Sequence, residues 1–175
     1  MAIIPLKQFV PSDVCLSCDG CCRFKEPGTI WRPKLTDEET HEIQGSQLAH
    51  IILHQDVRDS GQFIKTKPGC GEHLCHFFNP ENHACAIYHG RPFECELYPY
   101  VISRSSGETA LYIHIYCPFV QKTQGQEIEA NYREYLREFF KQKDVLGFLI
   151  RNREFLNDYS AYQEELQKVF VIDGV

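Results

Sequence analysis

Between Tyr98 and Tyr116 the chain alternates. Val101 and Ile102 precede Ser105-Ser106-Gly107, and Leu111, Ile113 and Ile115 then alternate with Tyr112, His114 and Tyr116. Two β-rich runs around a Ser-Gly turn predict an antiparallel hairpin. After Gly125 the period lengthens. Ile128, Tyr132, Tyr135, Leu136, Phe139 and Phe140 recur at steps of three and four, which predicts a helix with one apolar face. Asp144 is placed to cap a second helix carrying Leu146, Leu149, Ile150 and Phe155. Ser160 and Gln163 form a capping-box pattern before Leu166, Val169 and Phe170, which predicts a third. The aromatic stripes of these segments read as core.

Earlier in the chain the pattern is weaker. Thr36 followed by Asp37, Glu38 and Glu39 is a capping box with acids in the first turn. Pro33 limits that helix backwards. The helix is expected to run through Ile43 and to resume over Leu48 to Leu53. Gly61 and Pro68-Gly69 mark loops.

The cysteines follow the same division. There are nine: four within Cys15–Cys22, four between Cys70 and Cys95, then Cys117 and none in the last third. The expectation is an α+β fold in a single domain of residues 1–175. Residues 12–120 would form a loop-rich cysteine and metal core with a short antiparallel hairpin, and residues 121–175 a helical C-terminal extension.

Composition narrows the partners. The net charge of -6, without a basic run, argues against nucleic acid. No apolar stretch approaches the ~20 residues of a membrane span. Met1–Pro11 carries no signal-peptide pattern, so a cytoplasmic location is expected. A reducing compartment disfavours a disulfide framework, and the odd cysteine count agrees. Clustered thiols there read as metal ligands.

The chemistry concentrates in Cys15-x2-Cys18-x2-Cys21-Cys22. Zinc sites generally take one Cys-x2-Cys pair from each of two places. Three cysteines at successive spacings of three are more typical of an iron–sulfur loop, which also uses a remote cysteine before proline. Cys117-Pro118 offers one. Cys75, Cys85 and Cys95 are ten apart, suited to separate elements converging on one centre. Four thiolates around Zn2+ or an oxidised four-iron cluster leave a formal charge of about -2. Arg23 and Arg91 are candidates to offset it from outside the ligand set, or to form ion pairs. His73, His76, His83, His89 and His114 lie near the cysteines and read as supporting residues rather than ligands.

The run CLSCDGCC, then Leu35-Thr36, Cys75-x-Phe77, CAIYHGRPFEC and Tyr98-Pro99 resembles the CxxCxxCC, or YkgJ-type, cysteine-cluster family of zinc- or iron-chelating domains. The resemblance spans roughly Cys15 to Cys117. It implies metal ligands at Cys15, Cys18, Cys21, Cys22, Cys75, Cys85, Cys95 and Cys117. Cys70 matches no family position, and His89 stands where the family usually has an acid. The family also includes the much longer flagellin lysine methylases.

Adjacent side chains in extended backbone face apart, so Cys21 and Cys22 are expected to serve different centres. That divides the eight into Cys15, Cys18, Cys21 and Cys117, and Cys22, Cys75, Cys85 and Cys95. Three functions follow. The first is an iron–sulfur protein, with a four-iron cluster favoured over zinc, serving electron transfer, sensing or scaffolding. The second is a methylase-like or other modifying enzyme using the centre, although no Gly-rich nucleotide loop or catalytic triad is present. The third is a zinc-stabilised module that binds a protein partner.

Overall fold

The computed structural model describes residues 5–18, 20–45, 58–59 and 63–175. The fold is α+β, and its backbone gathers into two compact units. One takes in Pro11–Glu96, with the start of the chain to Lys7; the other joins Gln8–Val10 to Leu97–Val175.

The first unit is built of short pieces. Helix α1 (Ser12–Cys18) leads through a 3-10 turn, Gly20–Cys22, into β1 (Arg23–Phe24). Helix α2 (Asp37–Gly45) begins where the capping box places it. The Thr36 N–H donates to Glu39 Oε2 at 2.8 Å, and the Glu39 N–H donates to Thr36 Oγ1 at 3.1 Å. The expected continuation over Leu48 to Leu53 lies outside the described residues, as does Gly61. Strands β2 (Arg58–Asp59) and β3 (Phe63–Ile64) pair with each other. Strands β4 (Thr66–Pro68) and β5 (His73–Cys75) pair and join β1 in the order β1-β5-β4. Strands β6 (Phe78–Asn79) and β7 (Ala84–Cys85) form another ribbon, and α3 (Phe93–Leu97) follows, only its last residue belonging to the second unit. These pieces cover a small core that includes Phe24, Leu35, Ile43, Ile64, Leu74 and Phe78. Cys75 is part of that core, and Cys22 and Cys85 pack against it.

The second unit is regular. Strands β8 (Tyr100–Ser105) and β9 (Glu108–His114) form the predicted hairpin. Its two-residue loop, Ser106-Gly107, has φ of 52° and 84°, the left-handed pair that a type I′ turn needs. Helices α4 (Pro118–Thr123), α5 (Glu127–Phe139) and α6 (Lys143–Arg151) follow. Their buried faces carry Tyr132, Leu136, Phe139, Val145, Phe148 and Leu149, whereas Ile128 and Ile150 point outward. Gln142, not Asp144, occupies the cap position of α6. Phe9 inserts among Tyr100, Phe119 and Tyr132, with ring centroids 4.8–5.5 Å away.

The third C-terminal helix does not form. Ser160–Tyr162 makes one 3-10 turn, and β10 (Leu166–Val171) pairs antiparallel with β9, from Leu166 opposite His114 to Val171 opposite Ala110. The apolar positions there fit either period. The β-branched Val169 and Val171, and the open edge of β9, decide for strand.

Candidate metal centre

Cys15 and Cys18 are one helical turn apart on α1, so their thiols share a face. The Cys15 N–H donates to Pro11 O at 2.8 Å, which anchors the start of that turn. Helix α1 lies against β7, the strand that carries Cys85. Cys75 ends β5, and Cys95 sits in the middle of α3. Pro92 opens α3, its carbonyl accepting the Glu96 N–H at 3.0 Å.

The adjacent cysteines do not face apart. Gly20–Cys22 is a 3-10 turn, in which successive side chains are rotated by about 120° rather than the 180° of a strand. The Cys21 and Cys22 thiols hydrogen-bond each other. Cys21 also interacts electrostatically with Cys15, Cys75, Cys85 and Cys95. Cys22 interacts with Cys75 and Cys95, Cys75 with Cys85, and Cys15 with Cys18. Pair by pair these electrostatic interactions link seven thiols into one network, Cys21 taking part in the largest number of them. Cys21 thus interacts with Cys15 of its own expected set and with all four members of the other.

The network is a difficult place for uncoordinated thiolates. The Cys21 hydrogen bond and burial hold the Cys22 thiol up, and burial pushes Cys75 up to about 12. Burial and the neighbouring Cys75 raise Cys95 well above the ordinary thiol range. Cys15 and Cys85 are raised by burial as well. Opposing groups are built in. The Phe77 N–H bonds the Cys75 sulfur and the Ile87 N–H bonds the Cys85 sulfur, each from two residues downstream. Tyr88 bonds the Cys15 sulfur. The Arg91 guanidinium lies 4.1 Å over the Tyr88 ring and interacts with Cys15, Cys85 and Cys95. Buried sulfurs receiving N–H and O–H bonds beside a cation suit a thiolate-bound metal. Among the described residues, no group of three or more His, Cys, Asp or Glu side chains stands in a geometry able to hold a metal ion as it is. The thiols are gathered without being closed on one point.

The remaining residues singled out by the sequence fall elsewhere. Arg23 pairs with Glu72 and lies 5.2 Å over the Phe78 ring. Cys70 is exposed on the β4–β5 loop, and none of the thiol–thiol interactions above involves it. Cys117 is buried in the second unit, just before α4. His76, His83 and His89 make ring contacts with Phe77, Phe78 and Tyr88. His114 belongs to the second unit, where its Nδ1 lies 2.8 Å from the Tyr98 hydroxyl.

The amides of Phe77 and Ile87 and the Tyr88 hydroxyl escaped the sequence reading. Their signal was the repeated Cys-x-apolar step, which places an N–H two residues after the sulfur.

A family model described as CxxCxxCC, a putative zinc- or iron-chelating domain, matches residues 14–131. No curated protein and no solved structure matches the chain. The matched span takes in the whole thiol network and Cys117, and covers more than half of the sequence. This chain belongs to the CxxCxxCC family of zinc- or iron-chelating domains.

Proposed function

We propose that the thiols of the first unit hold an iron–sulfur centre, and that the protein serves electron transfer or sensing in a reducing cytoplasm. The observation that carries this reading is the seven-thiol network around Cys21. A single structural zinc takes four ligands, fewer than the thiols gathered here. The Cys15, Cys18 and Cys21 spacing favours iron–sulfur ligation. Such a centre supplies a one-electron couple when bound. The chain's own residues supply the rest. Phe77, Phe78 and Ile87 keep water from the buried side of the network, and the Phe77 and Ile87 amides take up charge on sulfur. Arg91 offsets the remaining negative charge.

Purification without oxygen, followed by an absorption spectrum and iron, sulfide and zinc analysis, tests the reading. A brown protein with a broad band near about 400 nm and matching iron and sulfide is expected. A colourless protein with stoichiometric zinc and no sulfide would sink the iron–sulfur reading and leave chelation standing.

A further inference from the structure

We infer that Glu39 is a positioning residue for Cys95, using the carboxylate oxygen that its helix cap leaves over. The capping box of α2 needs only one oxygen of Glu39, and Oε2 fills that need at the Thr36 N–H. The other oxygen, Oε1, accepts the Phe93 N–H at 2.7 Å, 54 residues away in sequence. Phe93 is the first residue of α3, and Cys95 is its third. A five-residue helix is marginal by itself, and its leading N–H groups have no partner within the helix. A buried carboxylate is a strong acceptor for one of them.

A second bond runs the opposite way. Glu94, on α3, accepts the Lys34 N–H at 2.8 Å through Oε2. Residues 34–39 and 93–94 are therefore cross-braced by two carboxyl groups, one from each side. Glu39 is well placed to act as the fixed end. It is only 8% exposed, between Leu35 at 0% and Ile43 at 4%. Two bonds at one end of a short helix set its orientation. They thereby set the direction of the Cys95 sulfur toward Cys21, Cys75 and Cys85, with which it interacts. A helix cap alone would not require the Phe93 contact. Outer residues that orient metal ligands typically change metal affinity 10- to 100-fold when lost.

The inference rests on the reading of Cys95 as a metal ligand, and two variants of the full chain separate it from a simple capping role. Glu39→Gln keeps the size and the capping box, which accepts Glu or Gln. Its amide has a single acceptor oxygen, so with that oxygen on the Thr36 N–H the Phe93 N–H faces an NH2 group. Thr36→Ala removes the hydroxyl cap on the Glu39 N–H and leaves both carboxylate bonds in place. Zinc-loaded protein is competed against a chromogenic chelator, and the metal-free chain is alkylated with peptide mapping of each cysteine. Glu39→Gln is expected to lose zinc affinity by about tenfold or more. It should also speed alkylation of Cys95 while Cys18 keeps its wild-type rate, and Thr36→Ala should do neither. Glu39→Asp, too short to reach both N–H groups, is expected to follow Glu39→Gln. Equal losses in Glu39→Gln and Thr36→Ala, unchanged Cys95 reactivity, or a uniform rise at every cysteine would overturn the inference. A wild-type chain that binds neither zinc nor iron would instead sink the metal reading, while Cys95 reactivity still reports on Glu39.

Discussion

In the first unit β1, β2, β3, β6 and β7 are two residues long, whereas β8, β9 and β10 of the second run to six or seven. A two-residue ladder contributes few hydrogen bonds, and ribbons of that size are not stable alone in water. The second unit adds three helices with buried apolar faces to its sheet. The first adds a small core and seven thiols, five of which are raised above the ordinary thiol value, four chiefly by burial and Cys22 chiefly by its Cys21 hydrogen bond. The difference is one of where cohesion comes from. The second unit is held by apolar burial, and on the reading proposed above the first would complete its core only when its sulfurs are tied together.

The largest consequence is a split response to metal removal. Structural zinc contributes apparent folding energies of about 10 kcal/mol or more in small domains. Treating the loaded protein with a strong chelator should abolish hydrogen-exchange protection of the β4–β5 and β6–β7 amides. The β8–β9–β10 amides should stay protected. Simultaneous loss in both units would remove the distinction drawn between them.

The converse experiment works on the second core. Leu149 is fully buried, and Leu149→Ala should destabilise that unit by about 2–5 kcal/mol. Metal content should stay at the wild-type level. A drop in metal content would show that the centre depends on the second core.

The smallest expected effect is electrostatic. Burial holds His114 below its ordinary value of 6.5, with Glu165 opposing. The groups facing it are the Tyr98 hydroxyl, the Glu165 carboxylate with its Oε2 3.6 Å from Nε2, and the Tyr116 ring. Because the folded pKa is lowered, the unfolded chain takes up the proton first. Stability of the second unit should fall as pH drops through about 6.5 and be unaffected by this group above it. His114→Gln should flatten that part of the stability profile, measured by denaturant unfolding, and an unchanged profile would rule His114 out as its source.

What was legible in the sequence depended on how local the cause was. The Thr36–Glu39 box and the Ser106-Gly107 turn are short-range devices, and both appear where the residues place them. The Ser160–Gln163 pattern misled because the fate of Leu166–Val171 was decided by β9, some fifty residues away. That Cys75, Cys85 and Cys95 sit on separate elements was legible in their ten-residue spacing. The turn that puts Cys21 and Cys22 side by side did not, since a Cys-Cys pair reads the same in extended and 3-10 backbone. The second oxygen of Glu39 was invisible for a related reason: its partner, the Phe93 N–H, comes near only after folding.

Cys21 and Cys70 offer the most direct test of the central claim. Both are exposed thiols of the first unit, yet Cys21 sits at the middle of the network and Cys70 takes no part in it. Metal per chain, measured by elemental analysis after anaerobic purification of Cys21→Ser and Cys70→Ser, separates them. Cys70→Ser is expected to keep the full wild-type complement and Cys21→Ser to lose most or all of it. Equal metal content in the two variants would contradict it.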